Sequence, residues 1–104
     1  MSAPELSVGR RVIAEVIRLA AVEVPGVLRV GRAGPAWRAL LAGSPIRTWV
    51  RDGRVDVRVI IVARPGQPLA PVAGQVRSAV GAAIERLLGM EPGAVTVLVD
   101  GVGS

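Results

Sequence analysis

Arg54-Val55-Asp56-Val57-Arg58-Val59-Ile60-Ile61-Val62-Ala63 is the stretch that decides the fold. Val55, Val57, Val59 and Ile61 recur at period two and share one face of an extended chain. Asp56 and Arg58 stand on the other face, where Ile60 and Val62 then replace them. The stretch predicts a β-strand that begins half-solvated and ends buried on both sides. That is the pattern of a central strand.

Directly upstream, Ile46 to Arg51 reads as a second strand, and Asp52-Gly53 predicts a two-residue type I′ turn. Such a turn fixes register: Arg51 opposite Arg54, Val50 opposite Val55, Trp49 opposite Asp56, Thr48 opposite Val57, Arg47 opposite Arg58, Ile46 opposite Val59. One side of the hairpin then carries Ile46, Thr48, Val50, Val55, Val57 and Val59 and is expected to pack on helices. The other carries Arg47, Trp49, Arg51, Arg54, Asp56 and Arg58.

Downstream, Pro65-Gly66 and Pro68 end the strand. A helix is predicted from Leu69 to Leu88, with an apolar stripe of Leu69, Val72, Ala73, Val76, Val80, Ala83, Ile84 and Leu87. Gly74 and Gly81 fall inside it, each costing about 1 kcal/mol against alanine. A close backbone contact with the sheet or a partner would offset that cost. Gly89 suits the helix end. Pro92-Gly93 reads as a turn, and Ala94 to Val99 as the last strand, before a short tail over 101–104.

At the other end, residues 1–8 read as a loose arm or a small edge strand. Val12, Ile13, Val16, Ile17, Ala20 and Val24, with Leu19, predict an amphipathic helix over Arg10 to Glu23, carrying an Arg11–Glu15 ion pair. Pro25-Gly26 stops it. Val27, Leu28 and Val30 predict a short strand, and Ala36 to Ala42 two helical turns in which Trp37 caps the core edge. The fold class is α+β: a two-layer domain spanning 1–104, with a small mixed β-sheet and two main helices on one face. The main order is helix-strand-strand-strand-helix-strand.

The composition narrows the chemistry. The 104 residues contain no cysteine, histidine or tyrosine, which removes thiolate chemistry and the commonest general base and metal ligand. All 13 basic residues are arginine and the net charge is +5. Arginine binds phosphate or carboxylate well, but a GC-rich or thermophilic source gives the same bias without any binding role. The longest strictly apolar run, Val59 to Ala63, is far short of the roughly 20 residues of a membrane span. No pair of the eight acidic residues has metal-ligand spacing on a rigid element. Asp52 belongs to its turn, and Asp56 to solvent or to a pairing with Arg47 or Arg58. Gly31-Arg32-Ala33-Gly34 matches no nucleotide-binding loop. No catalytic, cofactor or metal residues are expected.

The candidate interaction surface is Arg47, Trp49, Arg51, Arg54 and Arg58 on the hairpin, with Gly74 and Gly81 on the long helix. Three readings of the arginine–tryptophan face stand side by side. It is a solvated face with Trp49 under arginine side chains, a protein interface, or a nucleic-acid surface with one stacking ring. The absence of a second aromatic there counts against stacking.

The residues Val12 to Val27, with the exit Val24-Pro25-Gly26-Val27, resemble the opening helix of the alkaline shock protein family. Val55 to Val62 followed by Gly66 resembles that family's valine-rich strand. Val72, Gln75, Val76, Val80, Ile84, Leu88 and Gly89 follow its second helix, and Val95 to Val102 its closing strand. The Gly31 to Pro45 segment stands outside the pattern. The resemblance implies a non-enzymatic cytoplasmic protein that self-associates and acts in envelope homeostasis or stress. It implies a small membrane-anchored relative as partner at the inner face of the membrane. It carries over no catalytic residues.

Overall fold

The computed structural model describes residues 9–103, so the expected arm over 1–8 lies outside the described residues. The elements are α1 (Arg10–Val22), β1 (Val27–Val30), α2 (Ala36–Ala42), β2 (Ile46–Arg51), β3 (Arg54–Ala63), α3 (Leu69–Leu88) and β4 (Glu91–Val102). The α+β order is the predicted one, and β3 is central.

The hairpin forms because Asp52 and Gly53 both adopt positive φ, 52° and 76°, as a type I′ turn requires. Its register is the predicted one at all six pairs. β1 also runs antiparallel to β3, pairing with Ile61 to Ala63, whereas β2 pairs with Arg54 to Val59. Ile60 lies at the junction: it accepts a hydrogen bond from the Gly31 N–H and donates to the Pro45 carbonyl, both at 2.9 Å. β1 and β2 therefore lie end to end along one edge of β3, and β4 runs parallel along the other. The sheet is mixed.

α1 packs over β1 and β2, α3 over β4, and the two helices touch each other. Ile13, Ile17, Ala21, Val72, Val76, Val80 and Ile84 meet Val55, Val57, Val59 and Ile61 in the core. The buried stripes are narrower than the sequence suggests. Val12, Leu19, Leu69 and Leu87 are exposed, because a small sheet has room under each helix for only one row of side chains. On α1, Glu15 pairs with Arg18 and not Arg11, placing the acid N-terminal to the base as the helix dipole favours.

Two boundaries differ from expectation. Pro92-Gly93 is not a turn: β4 begins at Glu91, whose N–H donates to the Gly53 carbonyl at 2.9 Å. Pro92 is accommodated next to an irregularity between Val55 and Val57 of the ladder, where a missing N–H is tolerated. Trp37 does not cap the core. It is 59% exposed, and its ring sits 5.9 Å from the Arg38 guanidinium.

The Gly31–Pro45 connection has a structural task. Ile60 is 3% and Val62 0% exposed, yet both point away from the helices. Arg32, Ser44 and Pro45 gather around Ile60. The Ala33 N–H donates to Asp100 Oδ2 at 2.8 Å, tying the segment to the outer side of β4. This connection explains why β3 ends buried on both sides.

Candidate functional site

The hairpin sets Arg47, Trp49, Arg51, Arg54 and Arg58 on the outer face of the sheet, away from both helices, and all five are exposed. Trp49 is 52% exposed and stands opposite Asp56. Among the described residues no guanidinium lies over the Trp49 ring and none of these arginines pairs with a carboxylate. The expected pairing of Asp56 with Arg47 or Arg58 does not form. Asp56 Oδ1 instead accepts from the Ala94 N–H at 2.9 Å, holding the start of β4 where the ladder is irregular. The face is therefore net positive, with one indole available to solvent.

Arg47 and Arg58 also border a cavity of about 160 Å³ with Arg32, whose buried Nε has no hydrogen-bond partner among the described residues. The Glu15–Arg18 pair lies on α1, apart from this face. The Arg18 hydrogen bond holds the Glu15 carboxyl below its ordinary range. The pair's small, solvent-screened contribution is present above the ordinary carboxylate range and is lost as pH falls below it through the lowered value.

The structure does not bring Gly74 and Gly81 to the hairpin face. They lie on a flank of α3 on the opposite layer. A Cβ at Gly74 would meet nothing within 4 Å, and one at Gly81 would only touch Pro92 Cβ at 4.0 Å. No close approach to the sheet calls for either glycine.

Two apolar surfaces escaped the sequence reading. Leu40 and Leu41 of α2 are 84% and 81% exposed. Between α1 and α3 runs an open groove of about 790 Å³, lined by Val16, Leu19, Ala20, Ala79, Ala83 and Leu87 among others. Their signal was the surplus width of the apolar stripes, more than one small core could cover.

Among the described residues no group of three acidic side chains could hold a metal ion, and no helix is long and apolar enough to cross a membrane. The arrangement offers recognition surfaces: a cationic sheet face with an aromatic centre, and an apolar helical groove.

Comparison with known proteins bears on the fold and the family. Among solved structures, a variant of MamM CTD superposes with TM-score 0.57 at 20% identity, covering 88% of this chain and 95% of that one. A copper form of MamM CTD gives 0.59 at 19% identity, with 89% and 98% covered. A manganese form gives 0.58 at 20% identity, with 89% and 99% covered. At such identities the likeness is one of fold. No curated protein matches the chain. The model of the alkaline shock protein family, a family described by its "cell envelope-related function", matches residues 2–104, so the chain belongs to that family.

Proposed function

We propose that this chain is a non-enzymatic interaction protein of the cell envelope, a single domain that self-associates and binds a small membrane-anchored relative at the inner face of the membrane. The outer sheet face is the contact surface for that relative. The observation that carries this reading is the half-exposed Trp49 among arginines that have no acidic partners among the described residues. Tryptophan and arginine are the residues on which interface energy concentrates, and burying an indole against a partner brings a large apolar area out of water. The family's envelope-related function supports the cellular setting.

Trp49→Ala tests the surface. Truncating a hot-spot tryptophan costs about 2 kcal/mol or more, roughly thirtyfold in Kd. The variant is expected to lose binding to the relative by that factor in a pull-down. Its thermal midpoint should shift little, because half the side chain is already in solvent. Unchanged association would remove this face from the proposal.

The same arginines favour a second reading, a nucleic-acid surface. It requires an affinity that falls steeply as salt rises, since each phosphate contact releases counterions. Absence of binding to a short oligonucleotide at low salt excludes it.

A further inference from the structure

We propose that the outer edge of β4 pairs antiparallel with the same edge of a second copy of this chain, joining two four-stranded sheets into one of eight strands. This inference rests on the self-association proposed above and names its interface.

The edge follows from the ladder. Ile60 directs both its N–H and its carbonyl to the β1/β2 side of β3. Alternation along a strand then turns Val57, Val59 and Ile61 toward β4. These three stand opposite Val95, Val97 and Val99 in a parallel ladder. In such a ladder a residue bonds the neighbours of its partner, not the partner itself. Val95, Val97 and Val99 therefore turn their own N–H and C=O groups outward. Two side-chain contacts agree with this parity. The Ala94 N–H points toward β3, where it reaches Asp56, and the Val95 carbonyl is reached from outside by Arg77 Nε at 3.3 Å. Among the described residues no strand lies along this edge.

Such an edge is unusual for a protein that remains alone. β4 has 12 residues, where about 5 or 6 are typical. Natural edges are blunted by lysine, proline, inward charges or short length. Here Pro92 stands near the start, Asp100 near the end, and Val95 to Val99 has neither charge nor proline. Among the described residues, only the Val95 carbonyl has a covering side chain.

The edge is complementary to itself. Centring a two-fold axis on Val97 places Val97 opposite its own copy and Val95 opposite Val99, so all three outward-turned residues enter hydrogen-bonded pairs. Thr96 then faces Leu98, and Asp100 faces Ala94, so no like charges are opposed. The helical layer leaves room for this. Gly81 sits by Pro92 and Arg77 reaches Val95. The return course of α3 thus brings Gly74 toward the axis, where an added Cβ would meet nothing of its own chain.

The test uses the full chain and three variants, with dimer Kd read by sedimentation equilibrium. Val97→Pro removes an outward N–H without touching a bond to β3. It is expected to give a folded chain, by circular dichroism, whose dimer Kd rises roughly tenfold or more. Because proline can also disturb the strand, a charge pair on the exposed outer face provides a second readout. Thr96→Glu with Leu98→Glu sets carboxylates against each other across the axis and should raise Kd by a similar factor. Thr96→Glu with Leu98→Lys sets opposite charges there and should restore association. A dimer equally tight in Val97→Pro and in both charge variants overturns the β4 interface while leaving self-association standing. A natural chain that stays monomeric at every concentration overturns both.

Discussion

Replacing Ile61 by alanine is expected to lower stability by about 2–5 kcal/mol, a large share of the roughly 5–15 kcal/mol that holds a domain of this size. Ile61 has no exposed surface and packs into the cluster shared by both helices. Removing its outer carbons forfeits their transfer from water and leaves a cavity that the surrounding valines, stiff at their β-carbons, fill poorly. Urea unfolding should show a lower midpoint at unchanged slope. The neighbouring Ile60→Ala probes the other layer. Ile60 is buried by the Gly31–Pro45 connection, and its truncation is expected to cost about 2 kcal/mol or more. A negligible effect at Ile60 would mean that this connection does not pack on the sheet.

Two glycine substitutions should have opposite signs. Gly26 is buried in the Pro25-Gly26 exit from α1, and a Cβ there would overlap Val72 Cγ2 on α3 and lie 3.2 Å from its Cγ1. Gly26→Ala forces α1 and α3 apart and is expected to destabilise by about 1–3 kcal/mol. Gly74→Ala meets empty space and removes backbone freedom from the unfolded chain. It should stabilise the monomer by about 0.5–1 kcal/mol, a rise in Tm of a few degrees. Calorimetry at a concentration where the chain is monomeric checks both. A stabilised Gly26→Ala or a destabilised Gly74→Ala would contradict the packing described.

The hairpin was legible because Asp52-Gly53 admits few alternatives, and a two-residue turn fixes every pair that follows. The two main helices were legible from their period. Burial at Val12, Leu19 and Leu87 was not, since periodicity gives a direction but not the width of the surface that receives it. Glu91 to Gly93 was misread because Pro-Gly is a turn signal locally, while the pairing of Glu91 with Gly53 is a long-range contact. The double burial of Ile60 and Val62 was read from β3, but the segment responsible was not. Its glycines and prolines carry no period, and the contact from Ala33 to Asp100 spans most of the chain. The arginine face was visible from register alone. Whether its arginines pair with acids was not, because Asp56 serves a backbone N–H on β4 in preference to its cross-strand neighbours.

The central claim is that this chain works by associating with protein. It is tested most directly by measuring solution mass at several concentrations, at low and high salt, with and without a short oligonucleotide. A dimer or larger species that forms with concentration and ignores the oligonucleotide is the expected result. A monomer under all conditions, or one whose mass changes only when the oligonucleotide is added at low salt, would contradict it.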